Sequence, residues 1–69
     1  MSQDELKELI NCIFEEVATD AKIGRNKTKY KLPKKALVGN VIDALYSAFS
    51  HYQSCKVVND QIVLEHPQQ

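Results

Sequence analysis

Between Leu6 and Ala21 the apolar residues stand at Leu6, Leu9, Ile10, Ile13, Phe14, Val17, Ala18 and Ala21. This is the i, i+3, i+4, i+7 spacing that draws one stripe along an α-helix. Asp4, Glu8, Asn11 and Glu15 fall on the opposite side of the wheel, Glu5, Glu16 and Asp20 flank the stripe, and Cys12 lies outside it. Ser2 followed by Glu5 fits a capping box that starts the helix. Lys22 and then Gly24 mark its end, a cation in the last turn and a glycine at C′. A helix with one apolar side must bury that side against another layer, so the rest of the chain has to supply one.

The period changes at residue 27. In KTKYKL, Thr28, Tyr30 and Leu32 alternate with Lys27, Lys29 and Lys31, which predicts a strand with the first three on a packed face and the lysines on a wet one. Lysines along a strand also protect an exposed sheet edge. Pro33 ends the strand and suits a first helical turn. From Ala36 to Tyr52 the helical period returns through Leu37, Val38, Val41, Ile42, Leu45, Ala48, Phe49 and Tyr52, with Gly39-Asn40 a soft spot where this second helix can divide. Two β-rich runs around Asn59-Asp60 then predict a hairpin with a two-residue turn. The expected fold class is α+β, two amphipathic helices packed on a small antiparallel sheet in the order α-β-α-β-β, with residues 1–65 one domain and 66–69 a fraying tail.

A chain of 69 residues buries only about 60% of the surface its unfolded form exposes, so its stability margin is thin. Small domains make this up with disulfides, a metal or self-association. Cys12 and Cys55 allow one bridge at most. The sequence shows no signal-peptide pattern and no apolar run long enough for a membrane span, which leads to the expectation of a cytoplasmic chain with free thiols and no membrane partner. Self-association into a homo-oligomer is then the expected way to complete the core. A hydrophobic fraction of 43% and a charged fraction of 26% argue against disorder throughout.

The chemistry-bearing residues do not assemble into a reaction centre. His51 and Cys55 have the i, i+4 spacing of a base and thiol on one helix side, but the helix is ending there and no third group orients them. Two glycines 15 residues apart make no phosphate-cradling loop. The carboxylates of the first helix lie on a solvated side without apolar neighbours to raise a pKa. Catalytic residues, metal ligands and cofactors are therefore expected to be none, and the chain is expected not to be an enzyme.

Charge is where the sequence departs from the ordinary. Seven of its nine Lys and Arg lie between residues 22 and 35 with no acid among them, although the whole chain is formally neutral. Arg25, Lys27, Lys29, Lys31, Lys34 and Lys35 are the candidate partner- or nucleic-acid-binding residues. The first helix carries six acids against Lys7, so one reading is internal neutralisation between that helix and the basic segment. The run KTKYKLPKKALV resembles the strand-to-helix entry of ribbon-helix-helix repressors, in which paired strands of a dimer enter the DNA major groove. That resemblance implies base or phosphate contacts for Lys27, Lys29 and Lys31, yet a long helix precedes the strand here and a hairpin stands where that family has its second helix. The order α-β-α-β-β is also similar to a winged helix if Gly39-Asn40 splits the second helix, but the resulting recognition helix, VIDALYSAFSHY, has Asp43 and no Lys or Arg. The expectation is a small non-enzymatic interaction or regulatory module that self-associates and presents a Lys-rich strand to a partner, protein or nucleic acid. The alternative is a DNA- or RNA-binding regulator using residues 22–35.

Overall fold

A computed structural model describes residues 1–66. The chain forms α1 (Gln3–Lys22), β1 (Lys27–Lys31), a 3₁₀ turn (Lys34–Ala36), α2 (Gly39–Ala48), β2 (Ser54–Val58) and β3 (Gln61–Glu65). Fold class and element order are as expected. The capping box is present in full: Glu5 N–H donates to Ser2 Oγ and Ser2 N–H to Glu5 Oε1, each at 3.2 Å. At the other end Gly24 has φ 81, Arg25 N–H donates to the Asp20 carbonyl at 2.9 Å and Gly24 N–H to that of Ala21 at 3.1 Å. These two bonds and the left-handed glycine make a Schellman ending, which satisfies carbonyls that the last turn would leave open.

The second helix is shorter than the apolar period predicts. Pro33 leads into the 3₁₀ turn, in which Ala36 N–H donates to the Pro33 carbonyl at 2.9 Å and Leu37 N–H to that of Lys34 at 3.0 Å. Val38 is then extended (φ -125, ψ 151) and caps α2, so the break falls just before Gly39-Asn40. The helix closes at Ala48, and Phe49 to Gln53 continue in turns, with Ser50 N–H donating to the Ser47 carbonyl and Tyr52 N–H to that of Phe49. Leu37, Phe49 and Tyr52 still reach the core, which is why they kept the helical period without being helical.

The sheet has strand order β1-β3-β2, antiparallel throughout. Val58 pairs with Gln61 across the two-residue turn, and Asn59 takes the positive φ (57) that Asn tolerates better than other side-chain-bearing residues. The register sets Thr28, Leu64 and Cys55 in one row and Tyr30, Ile62 and Val57 in the next, all on the face that meets the helices. Leu9 and Ile13 of α1, Val41 and Leu45 of α2, and Ala36 and Phe49 close over Ile62 and Leu64. These residues are buried. Phe14 is the exception among the stripe's large residues: its ring lies 4.9 Å from that of Phe49 but remains 43% exposed. Among the described residues no helix is long and apolar enough to cross a membrane.

Candidate partner-binding surface

Because side chains alternate across a strand, the face of the sheet turned away from the helices is fixed by the same register. Its three rows are Lys27, Glu65, Ser54; Lys29, Val63, Lys56; and Lys31, Gln61, Val58. Nine positions carry four lysines and one carboxylate. Lys27, Lys29, Lys31 and Lys56 are all exposed. Lys56 is absent from the sequence-derived set because nothing local links it to residues 22–35; only the β1-β3-β2 order places it two strands from Lys29. Recognising that order in the hairpin and strand pattern is the signal that would have found it.

Internal neutralisation accounts for little of the basic segment. Lys35 pairs with Glu5, and Lys31 Nζ lies 3.9 Å from Asp60 Oδ2. Among the described residues Arg25, Lys27, Lys29 and Lys34 have no carboxylate within ion-pair distance. Glu16 and Asp20 of α1 border the same groove as Arg25, Lys27 and Lys29, but among the described residues no ion pair closes across it. The Lys35 ammonium, with help from the Ser2 backbone and hydroxyl, holds the Glu5 carboxyl down at about 2. Arg25 and Lys34 are exposed at the two ends of β1, and Lys35 is committed to α1.

Tyr30 points to the helix side and is half-buried against the core, away from the lysine side chains. Burial pushes its hydroxyl pKa up, with Cys12, Glu16 and Glu15 of α1 adding to the rise. It is therefore part of the floor beneath α1 and unavailable for stacking on the lysine face. His51 and Cys55 do not share a helix: His51 is exposed in the turn after α2, while Cys55 is half-buried on the inner face of β2 with its thiol pKa raised by burial. Among the described residues no group of three His, Cys, Asp or Glu is placed to hold a metal ion.

Two polar residues are buried, Thr28 on the packed face that the alternation predicts and Asp20 against expectation. Asp20, expected on the flank of α1, is 7% exposed, and Thr28 is 1% exposed. Thr28 Oγ1 donates to Asp20 Oδ2 at 2.8 Å and lies 2.6 Å from His66 Nε2. With its single proton given to Asp20, the hydroxyl accepts from His66. His66 is further held by its N–H donating to the Asn26 carbonyl at 2.7 Å, so it belongs to the folded unit; residues 67–69, the remainder of the expected tail, lie outside the described residues. This chain of bonds ties the end of α1, β1 and the end of β3 together.

Compared with protein-family models, with curated proteins and with solved structures, the chain has no match.

Proposed function

We propose that this chain is a small non-enzymatic interaction module that docks a negatively charged partner on the open face of its sheet. The observation that supports this reading best is the set Lys27, Lys29, Lys31 and Lys56, gathered on one solvent-facing layer with Glu65 as the one acid among its nine positions. Four like charges on neighbouring positions repel one another, a cost that an anionic partner removes. Arg25 and Lys34 extend the positive field beyond the two ends of β1.

A nucleic-acid partner is the second reading, and the element order favours it, because α2 stands between β1 and β2 as in a winged helix. The exposed residues of α2 are Gly39, Asn40, Asp43, Tyr46 and Ser47, which bring no cation to a groove. A nucleic-acid contact on this chain would run through phosphates on the lysine face and would be indifferent to sequence.

The test is a salt series of binding to polyglutamate and to random-sequence single-stranded DNA, read by fluorescence anisotropy. Wild type, the triple variant Lys27→Gln/Lys29→Gln/Lys31→Gln and Lys56→Gln are compared. Binding at low salt that the triple variant loses and Lys56→Gln weakens supports the surface. Binding that survives the triple variant, or no binding to either polymer at low salt, overturns it.

A further inference from the structure

The same three lysines that carry charge on β1 also carry its unpaired backbone. Leu32 N–H donates to the Asp60 carbonyl and His66 N–H to the Asn26 carbonyl, each at 2.7 Å. In an antiparallel ladder this fixes the phase: Asn26, Thr28, Tyr30 and Leu32 turn their backbone groups to β3, and Lys27, Lys29 and Lys31 turn theirs outward. The two edges of the sheet are treated differently. On β2 the outward N–H of Val57 donates to Tyr46 Oη at 3.3 Å, so α2 covers that edge. Among the described residues no such bond reaches the outward groups of β1.

Space is open beside that edge. A groove of about 640 Å³ lies between the first half of α1 and the end of β1, lined by Glu8, Leu9, Cys12, Tyr30 and Leu32 among others. A second of about 370 Å³ lies between Glu16 and Asp20 of α1 and Lys27 and Lys29 of β1. Since α1 and β1 run in opposite directions along the two walls, the grooves follow one another along the edge.

We infer that β1 accepts an extended acidic segment of a partner protein as a fourth, antiparallel strand, with a carboxylate at every second residue opposite Lys27, Lys29 and Lys31. This rests on the anionic-partner reading above and narrows it. Backbone bonds in such an addition supply affinity, and alternate side chains supply selection. Residues opposite the three lysines share their face, so acids at that period meet a cation each. The intervening side chains turn inward, over Leu9, Cys12 and Tyr30 at one end and beside Glu16 at the other, which suits small apolar and then polar residues. A second copy of this chain is a poor occupant, because β1 on β1 sets lysines against lysines. Nucleic acid matches the charge but offers no peptide groups in register. Lysines that close an edge to neutral strands thereby leave it open to acidic ones.

The probe is a capped nine-residue peptide alternating Glu with Thr or Val, measured by anisotropy at low salt. It is expected to bind at least roughly tenfold tighter than a peptide of the same composition with its glutamates in one block. N-methylation of its glutamates, whose N–H groups face β1, abolishes binding, whereas N-methylation of the intervening residues leaves it. On the protein, amide exchange slows at Lys27, Lys29 and Lys31 and stays unchanged at Lys56, whose backbone already faces β3. Lys29→Pro, with circular dichroism confirming the fold, binds more weakly than Lys29→Gln, because only the first also removes an edge donor. Equal affinity for alternating and blocked peptides, or no difference between the two methylation patterns, overturns strand addition while leaving an anionic-partner surface standing. DNA binding more tightly than the alternating peptide overturns the choice of a protein segment. Failure to bind any anionic polymer overturns both readings.

Discussion

Thr28→Val is the substitution that most directly tests how the fold is held. Valine keeps the shape and the β-branched backbone preference of threonine, so the change removes the hydroxyl and little else. Two bonds go with it, the 2.8 Å bond to Asp20 Oδ2 and the 2.6 Å bond from His66 Nε2, at a position 1% exposed. The Asp20 carboxylate, itself 7% exposed, keeps no other side-chain donor among the described residues. A lost bond to a charged group, plus the desolvation of what remains, costs about 2–4 kcal/mol. A chain of this length has about 3–10 kcal/mol in total, so the variant should lose a large share of its stability. Thr28→Ser keeps the hydroxyl and drops one methyl, a loss of roughly 1 kcal/mol. Urea unfolding followed by far-ultraviolet circular dichroism separates the two, provided the slope m is unchanged. Asp20→Ala combined with Thr28→Val should cost less than the two single changes added, since both break one interaction. If Thr28→Val stays within about 0.5 kcal/mol of wild type, or is milder than Thr28→Ser, the bond chain is not what anchors β1 to α1.

Three further outcomes follow from local geometry. Gly39 has open space where a Cβ would sit and no positive φ, so Gly39→Ala should raise stability by about 0.5–1 kcal/mol, whereas Gly24→Ala, at φ 81, should lower it by about 1–2 kcal/mol; matched urea midpoints would refute both. Iodoacetamide should modify exposed Cys12 well before Cys55, whose thiol pKa is raised by burial on the inner face of β2; peptide mapping by mass spectrometry reads the order, and equal rates would contradict the placement of Cys55. Glu5 should titrate at about 2 instead of its ordinary 4.5, chiefly through Lys35. A depressed carboxyl stabilises the fold above its ordinary pKa and loses that contribution as pH falls from 4.5 toward 2. Nuclear magnetic resonance titration of Glu5 in Lys35→Ala should show the value returning upward, and an unchanged value would refute the assignment of its cause.

How much of this was readable in the sequence depends on the range of the interaction involved. The start of α1, its glycine ending and the Asn59-Asp60 turn were legible because each is settled within six residues: Ser2 with Glu5, Gly24 with Ala21 and Arg25 with Asp20, Val58 with Gln61. The alternation in residues 27–31 gave the two faces of β1 for the same reason. The length of α2 was not legible. Leu37, Phe49 and Tyr52 keep a helical spacing yet reach the core from turns, and only the packing of those turns shows that the helix has ended. Asp20 is a sharper case. An acid beside the stripe of an amphipathic helix reads as solvated, and what buries it is a hydroxyl on the next strand and a histidine 46 positions along.

The charge pattern shows where local reading and tertiary placement meet. From composition alone, six acids on α1 and seven bases just after it suggest cancellation, and the formal net charge of zero supports that view. Cancellation requires the charges to approach within a few ångströms, and for exposed pairs it stabilises each by only about 0–1 kcal/mol. The fold turns the apolar stripe of α1 to the sheet, and the alternation of β1 sends Lys27, Lys29 and Lys31 to the sheet's other face, while Asp20 turns inward to Thr28 and Glu5 meets Lys35. Burying Leu9, Ile13, Ile62 and Leu64 thus holds most of the strand's cations beyond ion-pair distance of those acids, even where Glu16 and Asp20 border the same groove as Lys27 and Lys29. Lys56 then joins the positive side through strand order. A neutral chain becomes a two-sided one, and salt should weaken whatever the lysine face binds while leaving the fold, which rests on apolar burial, nearly untouched.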